Sequence, residues 1–173
     1  MRGSLATIIA AVVTGVALVA LPAGAVAAPA SATFEIKGVE IAFTSTRGTF
    51  VGYGLGGASE GSAWKAVVDH TPLSSQPVSI TGGRFTMGTA SLAPSADFVV
   101  GTFTGGTITE TNPGAGCTKQ TFQVSGTVGD VSTSTTSGGT GRFDVVLTHH
   151  RTRFFGECVT YAATVSGSAG FAY

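Results

Sequence analysis

From residue 31 onward the chain carries no apolar pattern of 3.6-residue period lasting two turns; it alternates in steps of two. An extended strand presents successive side chains to opposite faces, so this alternation predicts strands throughout. Phe34 and Ile36 alternate, and Val39, Ile41 and Phe43 then alternate in the opposite phase, which predicts a β-bulge at Lys37-Gly38. Residues 47–55 place Thr49, Val51, Tyr53 and Leu55 on one face and Gly48, Phe50, Gly52 and Gly54 on the other. Trp64, Ala66 and Val68 mark a third strand. Val78 and Ile80, with Phe85 and Met87 beyond Gly82-Gly83, mark a fourth. A strand apolar on both faces starts at Phe98 and runs to Gly105-Gly106. Phe122, Val124 and Val128 line the next, and Phe143, Val145 and Leu147 the one after. Val159, Tyr161, Ala163 and Val165 line the last, with Phe171 and Tyr173 as a terminal extension. The polar segments 110–116 and 129–140 read as hairpin loops. About eight closely spaced strands predict an all-β fold, a single antiparallel β-barrel, with a two-sheet β-sandwich as the alternative.

The first residues follow another logic. Met1-Arg2 is basic, Leu5 to Leu21 is almost unbroken apolar sequence, and Ala25-Val26-Ala27 offers small residues to a peptidase. This is the layout of a secretory signal peptide over residues 1–27, favoured over a retained anchor because strand-like sequence follows at once. The expected mature chain, 28–173, is one domain of about 146 residues outside the cytoplasm. Once Arg2 is removed it holds eight basic and nine acidic residues. Such sparse charge leaves no basic stripe for nucleic acid and no polybasic segment for anionic lipid. No second apolar run is long enough to cross a membrane as a helix.

Cys117 and Cys158 are the only cysteines, and in an oxidising compartment they predict one disulfide. Closing that loop would contribute about 4 kcal/mol in the chain-entropy model. Geometry restricts it. If 118–128, 141–150 and 156–166 are consecutive hairpin strands, the outer two lie about 9.5 Å apart, too far for a bridge. The two segments must therefore close over the end of the middle strand, which would seal that end of the barrel.

Candidate functional residues are few. His149-His150-Arg151-Thr152-Arg153 is the densest polar cluster. As a barrel rim it could hold an anion; as a solvated turn its arginines would balance Glu157, Asp144 or Asp69. No metal site is expected, since adjacent His149 and His150 point to opposite faces and only His70 remains. Asp69-His70 lacks the geometry of an oriented base, and no Gly-x-Ser-x-Gly elbow marks a nucleophile. Phe34, Phe50, Tyr53, Trp64, Phe85, Phe103, Phe122, Phe143 and Tyr161 would either fill a barrel or line a cavity. Glycine recurs two positions before an aromatic at Gly48, Gly83, Gly101 and Gly141, as if leaving space for a ring.

The segment Gly138-Gly139-Thr140-Gly141-Arg142-Phe143 resembles the glycine-rich strand start of bacterial relatives of the allene oxide cyclase and dirigent barrels, and Phe103-Thr104-Gly105-Gly106-Thr107-Ile108 is similar to their strands. The pattern is also similar to that of small secreted proteins of high-GC bacteria. After Phe143 the chain reads Asp-Val-Val-Leu-Thr, which departs from the Gly-Ala-x-Gly of those barrels, so the resemblance implies the barrel shape and no catalytic residue. The resulting expectation is a secreted, non-catalytic, cofactor-free barrel that binds a small apolar or amphipathic ligand or a cell-surface partner. Trp64, Tyr53 and Phe143 would line the site, and His149, Arg151 and Arg153 would orient a negative group at the rim. A pocket enzyme of cyclase or isomerase type is the alternative, signalled by Glu35, Glu110 or Glu157 pointing inward; a structural envelope protein is a third reading.

Overall fold

The computed structural model describes residues 31–56, 61–75, 77–89 and 98–173, so the expected signal peptide lies outside the described residues. Eight strands follow in chain order: β1 (Ser31–Phe43), β2 (Arg47–Leu55), β3 (Ser62–His70), β4 (Val78–Thr89), β5 (Phe98–Glu110), β6 (Lys119–Ser132), β7 (Gly139–Phe154) and β8 (Glu157–Ala172). Each pairs antiparallel with the next, and β1 pairs with β8 from Ser31↔Ala172 to Val39↔Thr164, which closes the barrel and excludes the sandwich. The last strand incorporates Phe171, as the alternation predicts. The predicted loop at 129–140 is shorter in the structure, because β6 continues through an irregularity between Val128 and Val131.

Alternation sorts the side chains into an interior and an exterior set. Phe34, Ile36, Trp64, Ala66, Phe85, Met87, Phe122, Val124, Val145, Leu147, Val165 and Phe171 are among the buried core, while Tyr53, Leu55 and Phe98 are exposed. The rings fit because glycine stands opposite them on a neighbouring strand. Trp64 pairs with Gly52, which in turn pairs with Gly38, and a Cβ on either glycine would lie within 2.7 Å of the indole. Phe85 faces Gly101, Phe143 faces Gly126 and Phe171 faces Gly141 in the same way. The predicted spacing role of glycine is therefore present, but except at Gly48, which adjoins Phe50, the accommodated ring belongs to the adjacent strand. Gly83 instead adopts φ 117°, a backbone conformation that disfavours other residues.

Two predicted phases are corrected. The bulge of β1 lies between Glu40 and Ala42, not at Lys37-Gly38. Glu40 consequently stays in phase with Phe34 and Ile36, Val39 and Ile41 face solvent, and Phe43 turns back inward beside Gly48. A second register shift, between His150 and Arg151, leaves Tyr161 without a pairing partner and puts Val159 and Tyr161 outside, unlike Ala163 and Val165.

The turns after β1, β3, β5 and β7 gather at one end of the barrel. The Cys117–Cys158 disulfide lies there, with a Cα separation of 5.5 Å. That is well under two strand spacings. The β7–β8 hairpin therefore folds over the 111–118 loop beyond the last β6 pairing, Lys119↔His150, and Arg151 N–H donates to the Thr118 carbonyl. The bridge braces this arm and does not seal the barrel: Phe43, Thr44 and Leu73, at the turns of the same end, line an interior cavity.

The fit of ring to glycine is directly testable. A Cβ at Gly101 would lie 2.7 Å from Phe85 Cε1 and 2.9 Å from Val128 Cγ1. Gly101→Ala should cost about 1–3 kcal/mol by overpacking, read as a lower urea midpoint at unchanged m-value. A midpoint equal to wild type would mean that the rings have slack.

Candidate functional site

The barrel interior holds a cavity of about 120 Å³ whose walls are almost entirely apolar. Trp64, Phe85, Phe103, Phe143 and Phe171 contribute rings to it. Phe85 stacks on Phe171 at 4.8 Å, and Phe103 meets Phe143 edge-on at 5.2 Å. Four polar side chains, Glu40, Thr44, His70 and His149, reach the same space at the end that carries the disulfide.

Glu40 and His149 form the centre of this polar end. His149 Nε2 and Glu40 Oε2 are 3.0 Å apart, with the imidazole N–H donating to the carboxylate. Only 10% of the histidine side chain and 4% of the carboxylate side chain are exposed. The pair comes from strands distant in sequence. Glu40 is set inward by the position of the β1 bulge, and His149 by its alternation with Leu147 and Val145 on β7. Phe122 meets the imidazole edge-on at 5.4 Å, and Phe43 flanks it at 6.1 Å. Gly48 makes room for the acid: a Cβ there would lie 2.7 Å from Glu40 Oε1. A carboxylate is expensive to bury without a partner, so the imidazole is what makes this position tenable.

His70 is buried nearby, its Nδ1 2.7 Å from the Thr71 carbonyl, to which it donates. Deeper in the cavity wall, Trp64 Nε1 is buried without a hydrogen-bond partner. An orphaned donor beside an apolar cavity is a ready contact for an acceptor atom of a bound molecule.

The sequence-predicted residues are divided by the fold. His149, Trp64 and Phe143 line the cavity. Tyr53 does not: it is 49% exposed on the outer face, opposite Lys37. Arg151 sits at the rim, where it donates to Gln120 Oε1 at 3.4 Å, and Gln120 Nε2 donates to Glu110 at 3.0 Å. Arg153 lies further out on the arm and is exposed. His150 faces outward toward Thr164 and Tyr161. Neither arginine balances the acids expected of a solvated turn. Asp69 pairs with Arg47 at 2.5 Å, which holds its carboxyl below the usual range, and Asp144 accepts from Gln123. Of the acids expected to point inward, Glu35 is exposed and paired with Lys37, and Glu157 is exposed. Among the described residues no group of three His, Cys, Asp or Glu side chains is placed to hold a metal ion.

Glu40 is the residue that sequence reasoning missed. Its signal was there: it is in phase with Phe34 and Ile36 once the bulge is moved beyond it. Comparison with protein-family models, curated proteins and solved structures returns no match.

If the imidazole is what supports the buried acid, then breaking the pair from one side should cost far more than removing both groups. His149→Phe should destabilise by about 3–5 kcal/mol, and Glu40→Leu with His149→Phe should restore most of that loss in chemical denaturation. Additive single and double effects would contradict the coupling.

Proposed function

We propose that this protein is a secreted binding protein for a small, uncharged, mostly apolar molecule that carries one hydrogen-bonding group. The observation that supports this reading is a buried carboxylate–imidazole pair at one pole of a cavity whose walls are mostly apolar. The apolar part of the ligand would lie among the rings, where each 100 Å² buried contributes about 2.5 kcal/mol before association costs. A ligand hydroxyl would donate to Glu40, and a ligand hydroxyl or carbonyl would accept from the free Trp64 N–H. A negative ligand group, as the sequence suggests, is disfavoured because Glu40 occupies the position beside His149. Arg151 is engaged with Gln120, and Arg153 is outside. The disulfide is compatible with an extracellular setting. A barrel is also the shape that the resemblance of residues 138–143 and 103–108 to allene oxide cyclase and dirigent barrels implies.

A cavity near the size that accepts benzene in an engineered apolar core calls for ring-sized test ligands. In titration calorimetry at pH 7, 2-phenylethanol should bind at least about tenfold more tightly than phenylacetate, because burying an unpaired anion is costly. Equal affinities, or tighter binding of the acid, would overturn the reading.

The same pair favours one second reading, a pocket enzyme of isomerase or cyclase type in which Glu40 takes a proton from a bound substrate and His149 positions it. The two part at Glu40→Gln. A binding protein should lose affinity for the alcohol, whereas an acid–base enzyme should keep affinity for its substrate and lose turnover.

A further inference from the structure

The hairpin arm beyond His150 has a composition that folding does not explain. Its two-residue turn is Phe155-Gly156, both with positive φ, at 48° and 88°. A turn of this hand is normally made by Asn-Gly or Gly-Gly, and a bulky aromatic in a left-handed conformation is strained. Phe155 is nevertheless 94% exposed and Phe154 60%, their rings edge-on to each other at 4.4 Å. Phe155 thus carries a backbone penalty and gains almost no burial. The arm is also held rigid, by the disulfide at Cys158 and by the Arg151–Thr118 hydrogen bond.

We propose that this tip is a docking element for an anionic lipid surface, into which Phe154 and Phe155 insert. Size and charge favour lipid over a protein partner. Two adjacent rings offer a few hundred Å², short of the roughly 1,200 Å² that a stable protein interface buries. A rigid aromatic wedge needs no matching groove in a lipid surface, where rings enter the headgroup boundary and cations meet anionic headgroups. Exposed Arg153 adjoins the tip, and exposed Lys119 lies at the base of the arm, against one exposed acid on the arm, Glu157.

Position favours it too. The exposed apolar residues Phe43, at the end of β1, and Leu73, in the turn after β3, lie at the same end, and both also line the cavity. Docking by the tip would turn the cavity mouth toward the lipid. The lipid contact stands on the tip alone; that it feeds the cavity rests on the ligand reading above.

The test is co-sedimentation of the disulfide-bonded protein with vesicles of equal parts phosphatidylglycerol and phosphatidylcholine, and with pure phosphatidylcholine vesicles. Wild type should partition to the mixed vesicles, and Phe154→Ser with Phe155→Asn should reduce that partition at least about tenfold. Arg153→Gln should weaken binding to the mixed vesicles only. Phe155→Asn alone should bind less well yet melt at the same or a higher temperature, because asparagine suits the left-handed turn. A structural role for Phe155 would instead lower the melting temperature. Binding of 2-phenylethanol to Phe154→Ser with Phe155→Asn should be unchanged, which separates failure of this inference from failure of the ligand reading. No partition of wild type, partition indifferent to the tip variants, or concentration-dependent dimerisation abolished by Phe155→Asn would each overturn the proposal.

Discussion

The barrel depends on aromatic rings lying over glycines on the next strand. Eight antiparallel strands enclose an interior just wide enough to be filled by side chains. Here the filling is uneven, since large rings at Trp64, Phe85, Phe143 and Phe171 are set against positions with no side chain at Gly52, Gly101, Gly126 and Gly141. Complementary pairing of large and absent side chains holds the rings close to the wall. The remaining space is a cavity lined from Phe143 and Phe171 at one end to Phe43 and Leu73 at the other, and the polar side chains Glu40, Thr44, His70 and His149 line it at the latter end.

Those polar groups create the one electrostatically demanding feature of the core. Glu40 could have been an apolar residue without disturbing the alternation of β1, and its burial is tolerable only because His149 arrives from β7 at hydrogen-bonding distance. Barrel closure is what brings them together: β1 and β7 both pair with β8, so residues 109 positions apart in sequence share one pole of the interior. The outer rim carries a second polar group, Arg151–Gln120–Glu110, which ties β5, β6 and β7 beneath the disulfide-braced arm. The mouth is therefore built of hydrogen bonds and one covalent link, and the floor of rings.

The strands were legible because alternation is a local property, and the single barrel followed from their number and spacing. The cavity-facing role of Trp64 and Phe143 was legible for the same reason. Bulge positions were not, because a bulge is set by how two strands pair and the sequence of β1 permits several. Shifting it from Lys37-Gly38 to Glu40–Ala42 exchanged Val39 and Ile41 for Glu40 on the inner face. Tyr53 was ambiguous in the same way: residues 47–55 have two plausible faces, and packing chose the one bearing glycine and Phe50 because only that face accommodates the indole of Trp64. The pairing of Glu40 with His149 could not be read locally, since it is a product of closure.

The most direct test of this account is a crystal structure of the protein soaked with 2-phenylethanol. The phenyl ring should lie among the aromatic walls of the cavity, with the hydroxyl within about 3 Å of Glu40, His149 or Trp64 Nε1. An intact Glu40–His149 pair beside an empty cavity, or the alcohol bound elsewhere with its hydroxyl away from these groups, would contradict it.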